Sequence, residues 1–119
     1  MLRTKVSSLS FALGLPLATC SFALWAEESY TIILKNHLFT PAQVEVPANR
    51  KVKLIIENQD PQVEEFDSFD LNREKVLFPN RKSVIYIGPL APGEYSFFGE
   101  FSPNTAQGIV IVKEPNNAS

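Results

Sequence analysis

The chain has 119 residues with 11 Lys+Arg, 13 Asp+Glu, nine Phe, nine Pro, one His, one Cys and one Met, which is enough for one small domain and too little for a large multi-domain enzyme. At 45% hydrophobic and 20% charged residues it lies far from the composition of a disordered chain. A net charge of −2 lacks the basic surface that phosphate contacts require, so nucleic acid is excluded as a partner and cations are favoured.

Residues 1–26 differ from the rest. Arg3 and Lys5 precede an uncharged apolar stretch from Val6 to Ala26, broken by Ser7, Ser8, Ser10 and Pro16, which is the pattern of a cleaved secretory signal peptide. The expected cut follows Ala26, leaving residues 27–119 as one domain exported to the periplasm. A retained membrane anchor and lipid attachment at Cys20 are the alternatives. Cleavage removes Met1, Cys20 and both positive charges, so the net charge falls to −4 and the mature chain contains no sulfur. Without disulfides it depends on its hydrophobic core for stability.

From Tyr30 onward short apolar runs alternate with turn residues and no sustained helical period appears, which predicts an all-β domain, a sandwich or barrel. The expected strands are Tyr30–Lys35, Gln43–Val46, Lys51–Asn58, Lys82–Ile87, Glu94–Glu100 and Gly108–Lys113. Pro92-Gly93 has the composition of a hairpin turn. Alternation points Val52, Leu54 and Ile56 inward, with Ile32, Leu34, Val44, Val46, Val84, Tyr86, Tyr95, Phe97, Val110 and Val112 as partners. Gln59–Arg81 reads as a long irregular connection with one short strand near Glu74–Phe78, and connections of that length usually carry function.

Three segments resemble a known family: NHLFTPAQVEVPAN, ENQDPQVEEFDSFDLNREKV and GPLAPGEYSFFGEFSPNTAQGIVIV. Together they are similar to the cupredoxin-like domains, in particular the EfeO-type group associated with bacterial iron uptake. The resemblance implies a Greek-key β-sandwich of about seven or eight strands with a metal site where three loops meet at one end. It also implies copper and/or iron as the bound ion, with an inner-membrane iron permease and a periplasmic iron- or copper-binding protein as partners.

Departures from that family pattern matter as much. Blue-copper electron transfer needs a Cys thiolate, two His and usually an axial Met. Aligned on the last strand, this chain has Gly99 or Glu100 at the Cys, Ser102 at the second His and Ala106 or Gln107 near the Met, while Glu64 or Glu65 stands at the first His. A blue-copper site is therefore rejected, and any ion would be held mainly by carboxylate oxygens. By the resemblance, the three loops supply His37, Glu65 and Glu100, with Glu64 and Asp67 in reserve. Phe66, Phe69, Phe98 and Phe101 interleave with these acids and are expected to pin their loops. The plainer alternative is a solvated acidic loop on a metal-free interaction or assembly module. With one His, no mature Cys and no Gly-x-Ser-x-Gly turn, nucleophilic hydrolysis has no machinery. At most the resemblance implies an accessory part in Fe(II) oxidation.

Overall fold

Nine strands and no helix make up the described part of the chain, Gly14 and residues 28–115 of a computed structural model. They are β1 (Ser29–Lys35), β2 (Leu38–Thr40), β3 (Gln43–Pro47), β4 (Val52–Asn58), β5 (Glu64–Ser68), β6 (Arg73–Leu77), β7 (Arg81–Ile87), β8 (Gly93–Gly99) and β9 (Gln107–Lys113). The export segment at 1–26 falls outside the described residues, apart from Gly14.

Two mixed sheets face each other, one in the order β2, β1, β4, β7 and the other β3, β9, β8, β5, β6. Each contains one parallel pair, β1 with β4 and β3 with β9; the other pairings are antiparallel. The parallel register runs from Ser29 beside Lys53 to Leu34 beside Asn58, so the β1–β2 and β4–β5 connections leave at the same end of the molecule. That end carries the candidate site.

Period-2 alternation builds the core. Ile32, Leu34, Val52, Leu54 and Ile56 from one sheet meet Val44, Val46, Phe66, Phe97, Val110 and Val112 from the other, all buried. Each fully buried side chain of this size contributes roughly 1.5–3 kcal/mol. The Phe97 ring lies 5.0 Å from Phe66, stacked, and 5.2 Å from Phe39, edge-on. Gly108 sits beneath it, where a Cβ would collide with the Phe97 ring.

Several expectations need correction. On β7 it is Ile85 and Ile87 that are buried, whereas Val84 and Tyr86 are 38% and 39% exposed. Both alternating sets in SVIYI are apolar, and the register that sets Ile85 beside Leu54 and Ile87 beside Val52 decides between them. Gln59–Arg81 is largely ordered, because it holds both β5 and β6. The acids of EEFDS hide the strand β5 from a local reading, and the three-residue β2 is too short to show a period. Pro92-Gly93 does not close a hairpin, since β7 and β8 belong to different sheets.

Candidate metal centre

Asn58, fully buried at the end of β4, starts the arrangement. Its Nδ2 donates to the carbonyls of Gln62 (2.9 Å) and Leu77 (3.1 Å), and its Oδ1 accepts from the Asp60 backbone N–H (2.9 Å). Every hydrogen-bonding group of a buried amide is thus engaged, and the start of the β4–β5 loop is fixed. Asp60, itself buried, then accepts the backbone N–H of Asn36 on Oδ1 (2.7 Å) and of His37 on Oδ2 (3.0 Å). Asn36 and His37 both have positive φ, 52° and 58°, a conformation that costs free energy and that these two charge-assisted bonds offset.

His37 therefore sits at the end of the sandwich with its ring toward the third loop. Its Nδ1 lies 3.2 Å from Ser102 Oγ and 3.9 Å from Asp60 Oδ2. Ser102 of the terminal loop is thus in contact with the His37 loop.

Glu64 is only 2% exposed and points inward at the start of β5. Its Oε1 accepts the backbone N–H of Glu65 (2.9 Å) and of Phe101 (2.8 Å), tying the middle loop to the terminal loop. Gly99 makes room for it, since a Cβ there would stand 2.7 Å from Glu64 Cδ and 2.8 Å from Ala106 Cβ. The place aligned with the blue-copper thiolate is thus filled by a carboxylate already committed to the backbone. Glu64 holds the site together.

Glu65 and Glu100 come together on the outer side. The Glu100 backbone N–H donates to the Glu65 carbonyl (2.9 Å), which sets the two acidic side chains next to each other. Burial, then the hydrogen bond and charge of Glu100, then the charges of Glu74 and Asp67, push the Glu65 carboxyl above the ordinary carboxylate range.

Asp67 lies two residues further along the same face of β5, beside Glu74 of β6. No hydrogen bond or ion pair joins His37 to Glu65 or Glu100; its partners are Asp60 and Ser102. Among the described residues no three His, Cys, Asp or Glu side chains are grouped as a metal shell. The expected trio thus resolves into a carboxylate pair and a separately held imidazole. Asp60, absent from the expected site, is the anchor of the His37 loop; the signal for it is Asp-Pro after an apolar strand, a turn whose acid can cap neighbouring backbone. The aromatic residues divide likewise: Phe66 is fully buried, but Phe69 and Phe101 are 81% and 59% exposed.

The donor set does not fit blue copper, because Gly99 and Ala106 offer no ligand atom and Glu64 is engaged. At the other end of β1, Tyr30 donates to Glu28 (2.8 Å), and burial followed by that bond raises its phenol to about 12, a structural effect remote from the site.

A family model described as cupredoxin-like domain matches residues 9–112. An uncharacterized protein of Rickettsia prowazekii is 48% identical over 83 residues, 70% of this chain, and the chain spans 66% of that relative's length. Among solved structures, the metal-binding domain of the Cu(I)-exporting P-type ATPase CopA of Streptococcus pneumoniae, determined with Cu(I), superposes with a TM-score of 0.64 at 15% identity, over 72% of this chain and 85% of that one. The blue copper protein auracyanin A of Chloroflexus aurantiacus gives 0.62 at 13% identity over 71% and 98%. A purple cupredoxin of Nitrosopumilus maritimus gives 0.55 at 20% identity over 70% and 98%.

Proposed function

The chain belongs to the cupredoxin-like domain family, and on that premise we propose that it is a periplasmic metal-binding accessory protein of a bacterial iron-uptake system, handling a divalent ion for an inner-membrane permease. The observation that carries the reading is the pairing of Glu65 with Glu100, joined by the bond from the Glu100 backbone N–H to the Glu65 carbonyl, with Glu65 half-buried and Glu100 exposed. Carboxylate oxygens suit Fe(II) better than Cu(I), which prefers soft sulfur ligands. Copper relatives supply the fold, and the loss of sulfur supports a change of ion. The EfeO-type resemblance of the three loop segments supports the iron-uptake setting, and the signal-like segment at 1–26 supports the periplasm.

Glu65 and Glu100 would hold the ion, with Glu64 and Asp60 keeping the loops in place. His37 is available as a nearby imidazole on its own anchor. Anaerobic calorimetric titration of Fe(II) into wild type, Glu65→Gln, Glu100→Gln and the remote control Glu114→Gln tests the reading. Loss of binding in Glu65→Gln and Glu100→Gln alone is expected, and equal affinity in all four proteins would overturn it.

One observation favours the second reading, an interaction module. Separation of His37 from the carboxyl pair leaves an exposed acidic and aromatic surface without a complete metal shell among the described residues.

A further inference from the structure

Asp67 is a largely buried acid on the solvent side of the sheet. It projects from the outer face of β5, is 8% exposed, and among the described residues its carboxylate accepts no hydrogen bond and forms no ion pair. Directly across the ladder stands Glu74, a like charge where an opposite one would stabilise. No side-chain oxygen or nitrogen buried among the described residues is left without a partner, so the Asp67 carboxylate, lacking a protein donor, must meet solvent, and the like charge of Glu74 opposite it favours a cationic visitor. Asp67 also lines an open cavity of about 390 Å³ together with Ser68, Phe69, Asn72, Arg73 and Glu74.

The other polar groups of that cavity are already occupied or turned away. Ser68 Oγ donates to the Ser96 carbonyl (2.6 Å) and accepts from the Leu71 N–H (3.0 Å). Arg73 spends its guanidinium on the carbonyls of Tyr86 and Asn72, both at 2.9 Å, and forms no ion pair with Asp67 or Glu74. Asp70, next to the cavity, is engaged with the N–H (2.8 Å) and hydroxyl (2.9 Å) of Ser96. The aromatic wall, by contrast, is unusually open: Phe69 is 81% exposed, its ring 5.8 Å from that of Phe98.

From this arrangement we infer that the cavity between β5 and β6 is a docking site for an arginine side chain of a basic partner protein, with Asp67 as the anchoring acceptor and Phe69 as the stacking wall. A guanidinium matches both features, because it binds a carboxylate through paired N–H donors and stacks on an aromatic face. Glu74 adds a second acceptor and Glu65 a longer-range field, both drawing a basic partner. A metal ion fits less well, since among the described residues no three acids are arranged as a shell here. An exposed Phe beside an unpaired carboxylate at an open cavity is also a composition that suits an interface anchor. The inference stands independently of the carboxyl pair Glu65–Glu100 and gives the interaction-module reading a definite partner chemistry.

The test is fluorescence anisotropy in EDTA, with the protein titrated into a fluorescein-labelled Gly-Arg-Gly-Arg-Gly peptide and matched peptides carrying lysine or citrulline. Arginine should bind most tightly and citrulline least. Asp67→Asn should weaken arginine-peptide binding by at least about tenfold, as expected for loss of a desolvated charge partner. Phe69→Ser, at an exposed position that leaves the core untouched, should weaken it by about threefold or more through the lost stacking. Glu94→Gln on the same outer face should leave it unchanged, and Glu65→Gln should change it less than Asp67→Asn does. Circular dichroism confirms the fold of each variant. Undetectable wild-type binding, equal binding of the citrulline peptide, or wild-type affinity in both Asp67→Asn and Phe69→Ser would overturn the inference. Because the chelator excludes metal, failure here is separate from failure of Fe(II) binding by Glu65 and Glu100.

Discussion

Gly99→Ala probes how closely Glu64 packs against the end of β8. The added Cβ would stand 2.7 Å from Glu64 Cδ and 2.8 Å from Ala106 Cβ, both closer than carbon atoms approach in folded proteins. Glu64 cannot swing aside freely, because Oε1 holds the N–H groups of Glu65 and Phe101 at 2.9 and 2.8 Å. Overpacking of this kind costs about 1–3 kcal/mol. For a domain of this size, about 2 kcal/mol corresponds to a fall in Tm of roughly 8–16 °C. Glu64→Ala removes two charge-assisted bonds, worth about 1.5–3 kcal/mol each before the regained solvation of the carboxylate is subtracted. It also clears the space that the methyl group added by Gly99→Ala would need. The double variant should therefore be more stable than the sum of the two single losses predicts, by a coupling of about 1 kcal/mol. Urea denaturation of the four proteins measures the cycle. An unchanged midpoint for Gly99→Ala, or strict additivity in the double variant, would refute the packing argument.

Asp60→Ala should destabilise the fold by about 2–4 kcal/mol in the same assay, since it releases two backbone N–H bonds that hold Asn36 and His37 at positive φ. Phe97→Ala should cost about 3–5 kcal/mol, as the ring contacts both Phe66 and Phe39 in the core. Glu65 has a folded-state pKa above its unfolded value, so the stability it contributes is complete below the unfolded value and is lost as pH rises through the folded one. Urea midpoints across that window should fall less in Glu65→Gln than in wild type. Asp70 behaves oppositely: the backbone and side-chain hydrogen bonds from Ser96 lower its pKa, so its contribution is present above the ordinary Asp value and is lost as pH falls through the folded value, an effect that Asp70→Asn should abolish.

Alternation makes most of the sandwich readable in advance. Where charged residues mark the outward set, as Lys53 and Glu57 do in β4, faces and strand limits agree with the structure to within a residue. Where both faces are apolar, as in β7, only the ladder register decides, and register is a tertiary property. The strand β5 is hidden for the converse reason. Its acids are Glu64, buried on backbone donors supplied partly by Phe101, and Asp67, buried beside Glu74; neither circumstance is visible in a local window. The nearness of Glu65 and Glu100 follows from the Glu100 backbone N–H meeting the Glu65 carbonyl, a contact between the middle and terminal loops that no local window of sequence displays. The separate placement of His37 is hidden likewise, since it depends on Asp60 capturing the backbone of Asn36 and His37 from 24 and 23 residues away.

The most direct test of the central claim is the position of a bound ion. Crystals of the protein soaked with Mn(II), a hard divalent ion with a strong anomalous signal, should show one peak between the carboxylates of Glu65 and Glu100. That peak should vanish in Glu65→Gln. A peak at His37 away from the carboxyl pair, or no peak on either group, would contradict the account.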